Sequence, residues 1–448
     1  MSTVATTDFF GPSQRCTTKA RGRRADFSAR SYSESVSDRQ QSEIEALARL
    51  AGDELGGAVD GVATVHRAIS DHVFAAVRRG AGPAALPVQV VHDTIADSVY
   101  RIVSDSAVSA GVLAEHAATL SGVSAPSRTV FGSGLLAALQ GLIGDTLAQQ
   151  RPILASPMAF RFDGEPVAPE QVAKHITNPS GRVVIFLHGL AETEHAWRLG
   201  GRPTYAERLE ADLGCTSLQV RYNSGLHISE NARRLDDLLQ RLVEHWPVEI
   251  EQLSLVGHSM GGLIARGACF DAAEEGRSWI RRVRQMVCLG SPHLGAPLEQ
   301  FVHYLSAALV RVPETRPFGR LLRRRSAGIR DLRQGSLVDQ DWDGVDADAL
   351  RRRAIREIPL LEGADHYFVT ATITRSPHHP LGRVIGDGLV LTTSGSGRNR
   401  ARRIGFDDDN GMHLPGANHF TLLNHEAVYE ALSRWLRGER EQKPLRSG

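Results

Sequence analysis

The sequence predicts an α/β protein: a mainly parallel sheet with flanking helices, preceded by an all-helical N-terminal domain. Three observations lead there. Continuous apolar, β-branched runs, with 183–187 the clearest, are what strands buried on both faces look like. Amphipathic helical stripes alternate with those runs. Residues 253–266, Leu-Ser-Leu-Val-Gly-His-Ser-Met-Gly-Gly-Leu-Ile-Ala-Arg, pass from buried strand to helix across Gly257-His258-Ser259-Met260-Gly261.

The chain of 448 residues is long enough for two domains, and 42% apolar with 23% charged residues is a globular balance. A formal net charge of +1 argues against nucleic acid as the main partner. Residues 1–41 are polar and basic, with Lys19, Arg21, Arg23 and Arg24 and no apolar core; they read as a disordered tail, not a secretory signal. No run of eighteen apolar residues occurs, so a spanning helix is not expected. Cys16, Cys215, Cys269 and Cys288 lack metal-ligand spacing and read as reduced structural cysteines. A cytoplasmic location fits, with peripheral membrane contact left open. Nothing in the pattern speaks to oligomeric state.

Residues 42–150 read as helical. Val88, Val91, Ile95, Val99 and Ile102 recur at three- and four-residue steps, as do Leu135, Leu139, Leu142 and Ile143, with breaks at 80–83 and 124–127. The texture changes near Met158, and a catalytic domain is assigned to 158–438, with a short tail at 439–448. Its strands are expected at 183–187, 218–222, 253–256, 286–289 and 367–371. Between the second and third, Ile228, Ala232, Leu235, Leu239 and Leu242 form a helical stripe that ends before Pro247. Residues 301–360 show no strand pattern and many arginines, Arg311, Arg316 and Arg320 among them. An insertion this long reads as a lid or as a solvated helical excursion.

A serine between glycines at a sharp strand-to-helix turn exposes its hydroxyl and sets it over a helix N-terminus, where negative charge is favoured. Such a nucleophile needs a base and an orienting acid, and around this kind of elbow they follow in the order serine, acid, histidine. Asp387, in Gly386-Asp387-Gly388, and His419, in Asn418-His419-Phe420, meet that order. His413 and His425 remain alternative bases, and Asp407, Asp408 and Asp409 compete for the acid role. Asp365 precedes its strand, at the wrong end. Oxyanion donors are expected from the backbone N–H groups of Met260 and Leu190. His188, Gly189 and His258 flank the serine and are assigned to substrate binding, though both histidines also suit packing or loop-shaping roles. His378-His379 lies between prolines without a third ligand, so no metal and no cofactor are expected.

On these residues the chain resembles the α/β-hydrolase lipases, and within them bacterial proteins related to triacylglycerol lipases and to GPI inositol deacylases. The resemblance covers roughly 180–437. It rests on Phe186-Leu187-His188-Gly189-Leu190, Gly257-His258-Ser259-Met260-Gly261-Gly262, Leu289-Gly290-Ser291-Pro292-His293-Leu294-Gly295, Asp387-Gly388-Leu389-Val390 and Asn418-His419-Phe420. It implies the serine mechanism and a small-molecule lipophilic ester as partner, but no particular substrate. The chain departs from secreted members in showing no signal peptide, and the helical residues 1–150 have no counterpart in the minimal core. Hydrolysis through an acyl-enzyme is the first reading. Acyl transfer from the same intermediate and a non-catalytic binding protein are the alternatives.

Overall fold

The computed structural model describes residues 36–50, 125–296, 325–344, 355–376 and 379–439. Eight strands form one sheet: β1 (Ala159–Phe162), β2 (Glu165–Val167), β3 (Arg182–Leu187), β4 (Thr216–Arg221), β5 (Gln252–His258), β6 (Val283–Leu289), β7 (Asp365–Thr372) and β8 (Gly411–Pro415). Their spatial order is β2-β1-β4-β3-β5-β6-β7-β8. β1 runs antiparallel to β2 and β4, and every other neighbouring pair is parallel. Seven helices matter to the site: α1 (Val36–Leu50), α2 (Val130–Gln150), α3 (Tyr205–Leu213), α4 (Ile228–His245), α5 (Met260–Glu275), α6 (Ala327–Leu332) and α7 (Glu426–Leu436).

The expected mainly parallel sheet with flanking helices is the one observed, and the reason is visible along β3. Val183, Ile185 and Leu187 join one core cluster, with α4 and α5. Val184 and Phe186 join the other, with α3 and α7. Both faces are therefore apolar, and burying each such side chain contributes about 1.5–3 kcal/mol. Helix limits follow local chemistry. Thr204 caps α3 in a capping box with Glu207, and Gly214 ends it at φ 59°.

The structure adds three strands that the sequence reading omitted. β1 and β2 form a tight hairpin, turned by Asp163 and Gly164 at φ 49° and 81°. They are four and three residues long, too short for a periodic signal, and Pro166 interrupts the second. β8 carries a single fully buried residue, Leu414, with Met412 partly buried on the same face, so its apolar pattern is only two residues long.

In the predicted helical N-terminal region, α1 and α2 lie within the described residues, α1 starting at Val36 inside the stretch read as a disordered tail, whereas the stripe at 88–102 lies outside them. α2 is long and apolar enough by length and composition to cross a membrane, although Gly, Ser and Gln interrupt its run. Yet 61% of its most apolar eighteen residues are buried against the rest of the protein. A Cβ at Gly141 would lie 2.8 Å from that of Ala191, and one at Gly144 would strike the Asn223 side chain. So α2 packs directly on the loops that follow β3 and β4. Part of the arginine-rich insertion docks on α2 as well. Ser326 Oγ donates to Gly141 O at 2.6 Å, and Ala327 N to Asp145 Oδ2 at 2.9 Å. Residues 297–324 and 345–354 of that insertion lie outside the described residues.

A buried ion pair braces the same corner. Arg221, at the end of β4, grips the Glu194 carboxylate with two nitrogens and also donates to Ser127 O. Ser127 in turn donates to Glu43 on α1 through its N–H and hydroxyl, at 2.9 and 2.6 Å. Removing one partner of such a pair strands a buried charge. Arg221→Ala is therefore expected to cost about 3–5 kcal/mol in urea unfolding. A loss below about 1 kcal/mol would contradict this account of the corner.

Candidate active site

The site is assembled where β3, β5 and β6 end. At the tip of β5 the chain reverses into α5 through Ser259, which holds φ 52° and ψ −118°. A left-handed backbone at a non-glycine residue is strained and persists only where its surroundings enforce it. Here Ser259 N donates to Leu289 O at 2.8 Å, tying the turn to the end of β6. The flanking glycines answer a spatial demand. A Cβ at Gly257 would fall 2.3 Å from Gly262 N, and one at Gly261 would fall 2.4 Å from Leu187 O. A side chain at 257 would drive α5 away from β5, and one at 261 would drive it away from β3.

The imidazole of His419 comes from the loop after β8. Its Nδ1 lies 2.8 Å from Asp387 Oδ2, and both side chains are buried. The same Asp387 carboxylate accepts the N–H groups of Leu389 and Val390 at 3.0 and 2.8 Å, through its other oxygen. His419 N also donates to Asp387 O at 3.0 Å. Both the ring and the backbone of His419 are thus fixed to the aspartate loop. The ring sits over Gly290, where an added Cβ would approach its Cε1 and Nδ1 to 3.1 Å. Gly290 follows Leu289, the acceptor for Ser259 N, so nucleophile loop and base loop meet at one strand end. Burial opposes charge on the His419 ring, but the charge and hydrogen bond of Asp387, helped by Glu192, outweigh it and raise its pKa.

The competing candidates fall elsewhere. His413 lies on β8 between the hydroxyls of Thr370 and Thr372, at 3.0 and 3.2 Å. His425 caps α7 through Ala427 N. Asp407 closes its own turn onto Asp409 N, and Asp408 pairs with Arg398, all on an exposed loop. Asp365 starts β7 at the opposite edge of the sheet. There it helps line a mixed-charge cavity of about 320 Å³, with Arg182, Gln252 and Arg437.

On the oxyanion side, Gly189 N donates to Glu192 Oε2 at 2.6 Å and Ala191 N to Ser224 Oγ at 3.0 Å. Between them, the Leu190 N–H has no acceptor among the described residues. Met260 opens α5, so its N–H has no carbonyl one turn back. An added Cβ at Gly189 would come within 3.1 Å of Ser259 Cβ, so this loop borders the nucleophile.

His188 and His258 are completely buried, and their rings face internal partners instead of open space. His188 stacks on Tyr222 with centroids 4.2 Å apart. Its Nδ1 donates to Gly189 O at 2.8 Å and its Nε2 accepts from Tyr222 N at 3.3 Å. Burial pushes its pKa down to about 4, so the ring is neutral. His258 bridges Glu192 and the backbone of His419. Glu192 itself escaped the sequence reading. It lies in the unpatterned run Ala191-Glu192-Thr193-Glu194, where nothing separates an inward carboxylate from a solvated one. Among the described residues no group of three or more His, Cys, Asp or Glu could hold a metal ion, and His378 lies outside them. Cys215, Cys269 and Cys288 are free and buried.

Sheet order and the strand-end turn at Ser259, with Asp387 and His419 on loops beyond the strands, give the α/β-hydrolase fold. Residues 178–349 match the model of the PGAP1-like alpha/beta domain. No curated protein matches the chain. Solved structures of similar fold include the mature lipase BlEst2 of Bacillus licheniformis, 15% identical. That match covers 58% of this chain and 95% of the lipase, with a TM-score of 0.39. A metagenomic carboxyl esterase is 14% identical over 73% of this chain and 99% of its own, with a TM-score of 0.35. The naproxen esterase of Bacillus subtilis is 14% identical over 58% and 84%, with a TM-score of 0.32.

Proposed function

We propose that this protein is a serine ester hydrolase that cleaves a carboxylic ester of a small lipophilic substrate through an acyl-enzyme. Ser259 is the nucleophile, His419 the base and Asp387 the orienting acid. The observation that carries the reading is the 2.8 Å bond from His419 Nδ1 to Asp387 Oδ2 beside a serine held at φ 52°. The aspartate fixes the ring tautomer, so that Nε2 is the nitrogen free to accept a proton.

Attack of Ser259 Oγ on the ester carbonyl transfers the hydroxyl proton to His419, and the carbonyl oxygen becomes an anion. The N–H groups of Leu190 and Met260 receive that anion; each such donor is worth about 3 kcal/mol in the transition state. Collapse expels the alkoxide, which takes the proton from His419. Water then repeats the sequence on the acyl-enzyme and releases the acid. Asp387 stays ionised throughout and stabilises the imidazolium in between.

The tail at 1–41, the helical domain at 42–150 and the hydrolase domain at 158–438 remain the proposed division of the chain. Nitrophenyl esters of graded acyl length, assayed with and without liposomes, test the substrate class. We expect turnover to pass through a maximum with chain length. Failure to cleave any ester in the series would overturn the proposal, and a rise in rate on liposomes would add peripheral membrane contact to it.

A further inference from the structure

We propose that Glu192 is a positioning residue that locks the oxyanion loop, the nucleophile turn and the base loop into one unit; the proposal rests on the Ser259–His419–Asp387 reading above. One carboxylate oxygen, Glu192 Oε2, accepts from Gly189 N at 2.6 Å and lies 3.0 Å from His258 Nδ1. The other nitrogen of that ring, His258 Nε2, lies 3.2 Å from the backbone oxygen of His419. A carbonyl oxygen can only accept, so Nε2 carries a proton. The carboxylate, likewise an acceptor, faces Nδ1. Burial opposes ionisation of Glu192, but His258 and the Gly189 N–H outweigh it and hold the carboxyl below its ordinary range.

Three consequences follow from this bridge. Gly189 immediately precedes Leu190, so the Glu192 carboxylate sets the orientation of the expected oxyanion donor. His258 immediately precedes Ser259, and its ring lies 4.6 Å from the His419 ring, so the bridge spans nucleophile and base. The negative charge of Glu192 also favours the charged form of His419, as a second carboxylate behind Asp387.

The test is Glu192→Gln, which keeps an oxygen for Gly189 N–H and removes the charge. Competent sites are counted with a fluorophosphonate, so that unfolded protein does not enter the rate. We expect kcat per site to fall about 10–100-fold with KM little changed, as a small misplacement of oxyanion loop and base would produce. The acid limb of the kcat profile is expected to move to lower pH, because the charged His419 loses one of its two supporting carboxylates. The titratable groups facing His419 are Asp387, Glu192 and His258, while His188 and His258 face Glu192. Wild-type kcat and an unmoved limb would overturn the proposal, because a merely structural role leaves both unchanged in the folded fraction. Should Glu192→Gln not fold, nitrogen-15 histidine spectra of the wild type at pH 7 decide. They should show both ring nitrogens of His258 hydrogen-bonded, and a ring nitrogen without a hydrogen bond would overturn the proposal. Ser259→Ala runs in parallel. Turnover persisting in that variant removes the parent reading, whereas a dead Ser259→Ala beside a fully active Glu192→Gln removes this one alone.

Discussion

Ser259→Ala is expected to lower ester turnover by about 10⁶-fold while leaving the fold intact. In the proposed reaction the hydroxyl is the atom that forms the covalent bond. The backbone at 259 is already strained at φ 52°, and alanine tolerates that conformation no worse than serine. The side chain is small, and the turn is held by Ser259 N to Leu289 O, a backbone bond that the substitution keeps. Thermal unfolding should therefore shift by less than about 1 kcal/mol, the usual result where no cavity, cap or buried pair is lost. Rate loss accompanied by global unfolding would point to a structural serine instead.

The second large effect belongs to the base and its acid. His419→Ala should cost nearly as much as loss of the serine, since the members of a triad act as one unit. Asp387→Asn should cost about 10⁴-fold, about 5.5 kcal/mol of barrier, by stabilising the wrong imidazole tautomer. The pH profile gives an independent reading. Only the neutral His419 ring can take the serine proton, so kcat/KM falls as pH drops through its pKa. Asp387 and Glu192 raise that pKa, which puts the acid limb above the ordinary imidazole value of about 6.5. In Asp387→Asn the residual limb should move to lower pH. A limb that stays in place would mean that Asp387 is not the group facing the base. Near-wild-type rates for His419→Ala would reopen His413 and His425, despite their engagement with Thr370, Thr372 and Ala427.

What could be read from the chain alone depended on whether a residue's role was written in local pattern. The parallel strands were legible because burial on both faces forces a continuous apolar run, as in β3. The turn at Ser259 was legible because the close approach of α5 to β5 and to β3 admits only glycine at 257 and 261. The pairing of Asp387 with His419 was legible in chain order, though not in distance. The hairpin of β1 and β2 was hidden because strands of four and three residues contain no period. Glu192 was hidden for a different reason. Its importance lies in where its carboxylate points, toward Gly189 N and His258, and a loop sequence does not encode direction. The packing of α2 over Ala191 was equally silent, since an apolar helical stripe says that it is buried but not against what.

The central claim is that the Ser259 hydroxyl is the atom that attacks. Its most direct test is to inactivate the protein with a fluorophosphonate and locate the adduct by peptide mass spectrometry. One phosphonyl group per chain, on the peptide containing Ser259 and absent from Ser259→Ala, is the predicted result. A full complement of label on another residue, or no label in a protein that hydrolyses esters, would contradict it.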